Sequence, residues 1–305
     1  MNKSCLIGFL MCSAFSLVVQ AATDGAHITK TISQIERKKG IKRTIQYRPD
    51  GNDFVCVNGK NRYTRALYGG ITDFRIETSD RPVFATYKPK DSKHICFRLQ
   101  CGNQSIALDS LKFCEARYRA GRRTYRLTDP LLGKGELNIS VLAFPDAEGG
   151  IWRFTMKDMP EGALLHCYIS EIRAKNLSRN GDMGADRADS FDAPQLPKEQ
   201  KHYKLSLDGT TAYIVVEDQE LRLPALVEGT SLYDKSEKWR SEIESSLQIS
   251  TPDPYFNPLG GALAAAADGI WDGKIWLHGA IGWRSQLNGW RAAYIGDFIG
   301  WHDRA

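Results

Sequence analysis

Residues 271–305 concentrate the side chains able to do chemistry. They hold five of the seven tryptophans, Trp271, Trp276, Trp283, Trp290 and Trp301, together with His278, His302, Arg284, Arg291, Asp297 and Asp303. Gly-Trp precedes a cationic or ionisable residue three times, in Gly282-Trp283-Arg284, Gly289-Trp290-Arg291 and Gly300-Trp301-His302. A sugar needs this mixture. Its C–H faces pack on flat indoles, and its hydroxyls need groups that donate and accept. The candidate carbohydrate-binding residues are therefore Trp283, Arg284, Trp290, Arg291, Asp297, Trp301, His302 and Asp303. The tryptophans would stack, and the others would hydrogen-bond hydroxyls or a sugar carboxylate. The same composition also fits an aromatic core with buried Arg–Asp pairs.

Hydrolysis of a glycosidic bond asks for more. Two carboxyl groups must flank the bond, about 5–5.5 Å apart for retention or about 6.5–9.5 Å apart for inversion. After Ser250 there is no glutamate, and the acids are Asp253, Asp268, Asp272, Asp297 and Asp303. Asp253 suits a helix start and Asp268 a helix end. Asp297 and Asp303 remain as site acids, but on one helix that spacing turns them to different faces. No catalytic acid and base are assigned from them. The sequence has no Cys/His spacing of a zinc site, no Gly-x-Ser-x-Gly elbow and no phosphate loop, so neither metal nor cofactor is expected.

These residues need elements to hold them. Residues 22–225 read as an antiparallel β-sandwich, because short alternating runs are separated by turn signals at sandwich spacing. The runs include Phe54–Val57, Ile71–Thr78, Val83–Lys88, His94–Leu99, Leu111–Tyr118, Thr124–Leu127, Glu136–Ala143, Ile151–Met156, Leu164–Ile172 and Ala212–Val216. Pro49-Asp50-Gly51-Asn52 predicts a turn and Asn58-Gly59 a hairpin. Residues 176–200, rich in Asn, Ser, Gly, Asp and Pro, read as a loop insertion. Residues 226–250 predict a linker helix lying on the sandwich, with Trp239, Ile243 and Leu247 as its apolar stripe. Thr251-Pro252-Asp253-Pro254 predicts a helix start, and Leu259–Ala267, apolar all round, a buried helix.

The ends and the composition set the location. Lys3, the apolar run Cys5–Val19 and Val19-Gln20-Ala21 read as a signal peptide over residues 1–21, with export to the periplasm or cell surface. That run is shorter than the roughly 20 residues a membrane span needs, and no other stretch is long enough, so no transmembrane segment is expected after cleavage. The net charge of +5 is mild. Arg117, Arg119, Arg122, Arg123 and Arg126 cluster around Ala120-Gly121, which reads as a solvated strand-turn-strand face, and no nucleic-acid partner is expected. Cys56, Cys96, Cys101, Cys114 and Cys167 would remain after cleavage. An odd number means that at least one stays free or pairs between chains, and one disulfide is open to the rest.

Several motifs carry a family resemblance. Thr251-Pro252-Asp253-Pro254-Tyr255-Phe256 and Ala264-Ala265-Ala266-Ala267-Asp268-Gly269 resemble the first barrel helix of the six-hairpin glycosidases, whose catalytic domain is an (α/α)6 barrel. His278-Gly279-Ala280, Trp283-Arg284, Gly289-Trp290-Arg291 and Gly300-Trp301-His302-Asp303-Arg304 resemble the next stretch. The upstream region, including Asn61-Arg62-Tyr63-Thr64-Arg65-Ala66-Leu67-Tyr68-Gly69, resembles an N-terminal β-domain family of unknown function that precedes such barrels in polysaccharide-degrading bacteria. The resemblance implies a mainly β chain: a sandwich, a linker helix, and in residues 251–305 the first helices of an incomplete (α/α)6 barrel. Twelve helices of about 11–12 residues with their loops need on the order of 200 residues. The expectation is an N-terminal portion of a longer glycoside hydrolase-like protein, or else a non-catalytic carbohydrate-binding or structural sandwich.

Overall fold

The computed structural model describes residues 46–88, 91–171, 202–279, 285–287 and 290–305. The expected signal peptide and the 176–200 insertion lie outside the described residues. Fifteen strands are described: β1 (Arg48–Asp50), β2 (Asp53–Val57), β3 (Arg65–Tyr68), β4 (Arg75–Thr78), β5 (Phe84–Lys88), β6 (Asp91–Cys101), β7 (Gln104–Ala107), β8 (Phe113–Arg119), β9 (Arg122–Thr128), β10 (Glu136–Ala143), β11 (Gly149–Lys157), β12 (Leu164–Glu171), β13 (Tyr203–Ser206), β14 (Thr211–Glu217) and β15 (Glu220–Arg222). They form an eight-stranded sheet, β1-β2-β8-β9-β10-β11-β14-β15, and a seven-stranded sheet, β13-β12-β6-β5-β4-β3 with β7 beside β6. Every strand pair in them is antiparallel.

One core joins the two sheets. It takes Leu67, Ile76, Phe84 and Phe97 from the seven-stranded sheet and Tyr125, Ile139, Trp152 and Phe154 from the other. The Phe84 ring meets those of Tyr125 and Trp152 edge-on, with centroids 5.6 and 5.7 Å apart, and Phe97 meets Phe154 at 5.5 Å. This is sandwich-like packing, with aromatic pairs in the favoured T-shape. All five described cysteines are free. Four of them are buried, so they serve as small apolar side chains and the disulfide left open by the sequence does not form.

The β8–β9 hairpin shows how sequence becomes surface. Its turn, Ala120-Gly121, has φ of 27° and 86°, the left-handed pair that a two-residue hairpin loop requires. Side chains then alternate between core and outer face on both strands. Arg117, Arg119, Arg122 and Arg126 fall on the outer face and are half-buried against Glu115, Glu244, Glu237 and Glu136 at 2.8, 2.7, 2.8 and 3.3 Å. Arg123 has the opposite parity and is wholly buried. Its Nη2 donates to the Ser79 carbonyl at 2.8 Å and to the Tyr47 hydroxyl at 3.1 Å, and lies 3.8 Å from the Asp80 carboxylate. The sequence reading of a uniformly solvated arginine face is thus corrected at this one position.

Asn58-Gly59 does not close a hairpin. After β2 the chain leaves the eight-stranded sheet and reaches β3 in the other. The glycine is needed for closeness: a Cβ there would lie 2.5 Å from Asp80 Oδ2 and 2.6 Å from Cys56 Sγ. Asn58 Oδ1 accepts from the Cys114 amide at 2.9 Å and ties the crossing to β8.

Helix α1 (Leu226–Ser245) lies across the outer face of the eight-stranded sheet and buries Gly229, Tyr233, Ser236 and Arg240. The contact is mixed: Tyr233 and Leu232 pack on Leu142, Ile151, Tyr213 and Val215 of the sheet, and polar side chains of the helix meet Ser140, Arg119 and Arg122. Tyr233 bonds Ser140 Oγ at 2.7 Å, and Glu237 and Glu244 take the arginines. Arg240 bridges Glu237 and Glu244, both at 2.7 Å, and donates to the Ala120 carbonyl at 3.2 Å. Of the expected stripe, Trp239 and Ile243 face Ala66 and Tyr68 of β3, Tyr118 of β8 and the Ala120-Gly121 turn. The small cleft they line there is closed on its other side by Ala265 and Asp268 of the following helix, and Leu247 lies beyond the end of α1.

Candidate functional site

The segment after Ser250 begins with a turn. Thr251 Oγ1 donates to the Asp253 carbonyl at 2.9 Å, and Asp253 Oδ1 accepts from the Tyr255 amide at 2.9 Å. Helix α2 (Leu259–Asp268) starts only after Pro258, so the Thr-Pro-Asp-Pro run shapes the approach to the helix and not its first turn. Nor is α2 buried all round. Gly260, Ala264 and Asp268 face inward, while Leu263 is 51% exposed, because α1 and the sheet edge cover one side only. Helix α3 (Trp290–Ile299) follows, then a short 3-10 turn, His302–Arg304.

Between these helices lies a compact aromatic base. Trp276 is fully buried and its Nε1 donates to the Ala267 carbonyl at 3.2 Å. Trp271 packs against it at a tilt of 55°, centroids 4.6 Å apart. The Arg304 guanidinium sits 4.4 Å from the Trp301 ring and 5.6 Å from that of Trp271, and bonds Asp268 at 2.8 Å. Cation–π contact and ion pair thus share one arginine. Burial pushes the Asp268 carboxyl up against the opposing pull of Arg304.

Trp301 forms the outer edge of this base. It is half-buried, and its Nε1 donates to Ser246 Oγ at 3.3 Å, which ties the turn back to the end of α1. Beside it His302, Asp303 and Asp297 are exposed, and His302 Nδ1 lies 3.2 Å from Asp297 Oδ1. Asp272 is used locally, accepting from the Lys274 and Ile275 amides at 2.9 and 2.7 Å. The structure therefore separates the acids. Asp253, Asp268 and Asp272 hold the backbone or a cation in place, and Asp297 and Asp303 face solvent.

Of the eight residues singled out by sequence, four are brought onto one surface: Asp297, Trp301, His302 and Asp303. Trp283 and Arg284 lie outside the described residues. Trp290 and Arg291 open α3, and their side chains lie outside the description as well. Sequence reasoning missed Arg304, the residue that organises the cluster. Its signal was the Trp-x-x-Arg spacing of Trp301 and Arg304, which brings both to one side of a tight turn. Trp276 is a core residue and Trp271 packs against it, so the aromatic-core reading describes this part of the segment. Among the described residues no group of three His, Cys, Asp or Glu is placed to hold a metal ion.

Residues 89–217 match the model of a domain of unknown function, DUF4450. That span runs from the start of β6 to the end of β14 and so covers the larger part of the two sheets. A comparison with curated proteins finds no match.

Proposed function

We propose that this chain supplies the β-domain and opening helices of an exported glycoside hydrolase-like protein acting on complex polysaccharide or oligosaccharide. The observation that carries the reading is the surface at the end of α3, where a half-buried indole is held by an arginine and edged by exposed His302, Asp303 and Asp297. An apolar face with a polar rim is what a sugar ring binds. Export to the periplasm or cell surface is consistent with the leader residues and would put the protein where such polymers are met.

The outward sides of the helices support the barrel part of the proposal. Tyr294 and Phe298 of α3 are 63% and 74% exposed, and with Leu263 they give the helical segment an apolar exterior that further barrel helices would cover. The sandwich then acts as the support, joined to the helices through the ion pairs of α1. These ion pairs also favour a second reading, a purely structural or non-catalytic sandwich module.

Calorimetric titration of the full chain with a panel of neutral plant cell-wall oligosaccharides tests the proposal. Saturable binding by one or more, weakened tenfold or more by Trp301→Ala, is the expected result. No heat with any saccharide, or binding indifferent to Trp301→Ala, would leave the structural reading in its place.

A further inference from the structure

The outer face of the eight-stranded sheet holds a second feature, distant in sequence from the tryptophan segment. Strand register sets it out as two rows. Arg117 pairs with Thr124, Thr124 with Ser140, and Ser140 with Arg153. In the next row Glu115 pairs with Arg126, Arg126 with Asn138, and Asn138 with Thr155. The first row therefore places two small hydroxyl residues between two arginines, roughly 14 Å apart across three strand spacings. Long side chains around short ones leave a hollow of about 270 Å³, near the lower end of the roughly 300–1,000 Å³ usual for ligand pockets.

The arginines of this hollow are not equivalent. Arg117 is neutralised by Glu115, Asp50 and Asp53, at 2.8, 2.8 and 3.4 Å. Arg126 is neutralised by Glu136 and Glu115, at 3.3 and 3.6 Å. Arg153 has no carboxylate partner among the described residues. It lies 3.9 Å over the Tyr233 ring of α1, and its Nε is buried without a hydrogen-bond acceptor. Tyr233 is itself fixed by its bond to Ser140. The result is a guanidinium packed on an aromatic ring at the wall of a hollow, with no carboxylate partner among the described residues, a costly arrangement for a partly desolvated cation. Around it stand Thr124, Thr155 and Asn138. The Asn138 amide donates to Glu136 at 2.8 Å through its Nδ2, and its carbonyl oxygen is an acceptor by chemistry.

We propose that this hollow binds the carboxylate or sulfate group of an acidic sugar unit. Arg153 takes the oxyanion through charge-assisted bonds, and Thr124, Asn138 and Thr155 meet the ring hydroxyls. The oxyanion part rests on Arg153 alone, whereas the sugar part rests on the carbohydrate reading above.

The test is calorimetric titration of the full chain, at low salt, with trigalacturonate, with a sulfated oligosaccharide of similar length, and with neutral cellotriose. The expected result is that one or both acidic ligands bind at least tenfold more tightly than cellotriose. Which of the two does so tells a carboxylate from a sulfate site. Arg153→Met should reduce acidic-ligand affinity at least tenfold, and Arg153→Lys, which keeps the charge and loses the planar fork, should fall between. Equal affinity for acidic and neutral ligands, no acidic binding, or acidic binding unchanged in both variants overturns the proposal. Neutral-saccharide binding that needs Trp301 but not Arg153, with none of an acidic ligand, would overturn this inference and leave the proposed function standing.

Discussion

Phe84, Phe97, Trp152 and Phe154 sit inside the sheets with almost no exposure, each ring edge-on to another, whereas Tyr294 and Phe298 of α3 stand mostly in solvent. The two regions use the same residue types and treat them differently. In the sheets, alternation and register send every second side chain into a core closed from both sides. In the helical segment, α2 and α3 each have one covered face and one open one. Among the described residues the two sheets close a core between them, and the helical segment leaves Leu263, Tyr294 and Phe298 exposed. Aromatic content alone therefore says nothing about the role of an aromatic.

The contrast is sharpest under truncation. Trp152→Ala should cost about 3–5 kcal/mol, the usual range for emptying a buried aromatic site, read as a fall in the urea midpoint. Phe298→Ala should stay within about 0.5 kcal/mol. A comparable loss from both would mean that the face of α3 is covered after all.

The next largest effect separates two arginines of one hairpin. Arg123→Met removes the donor to Ser79, Tyr125 and Tyr47 and leaves buried Asp80 without its cation. About 3 kcal/mol is expected for breaking a buried pair from one side. Arg126→Met, on the outer face of the same strand, should cost no more than about 1 kcal/mol. Equal losses by denaturant titration would contradict the division of the hairpin into a core and an outer face.

The smallest effect probes the joint between the regions. Burial would raise the Glu244 carboxyl, but the bonds from Arg119 and Arg240 outweigh it and hold the group below its ordinary value. A carboxylate lowered on folding contributes stability above its unfolded pKa and loses it as pH falls through the folded one. Glu244→Gln should thus lower stability by about 1 kcal/mol at pH 7, with the difference from the parent shrinking as pH falls below the ordinary carboxylate range. A difference independent of pH in thermal melts would mean that the charge on Glu244 does not join α1 to the sheet.

Much of the fold was legible in the residues. Glu136–Ala143 was read with the bounds that β10 has, because eight residues of clear alternation leave little choice. The short strands β1, β3, β7 and β15 were not read, since three or four residues carry too little period and are strands only by virtue of their neighbours. Asn58-Gly59 misled because its glycine answers a tertiary approach to Asp80 and not a turn. In the tryptophan segment, composition marked where aromatic and charged side chains gather. It did not tell Trp276, a core residue, from Trp301, a half-buried one, because no helical period runs through both.

The division between the two packed sheets and a helical segment with an open face, together with the proposal that this segment binds saccharide, is tested most directly by native-state hydrogen exchange on the full chain, free and with a saccharide that titrates in the neutral panel. Amides of β9, β10 and β11 should exchange slowly throughout. Those of residues 251–279 and 290–305 should exchange faster in the free protein and slow when the saccharide is added. Equal protection of both regions in the free chain, or a saccharide that leaves residues 290–305 unchanged, would contradict it.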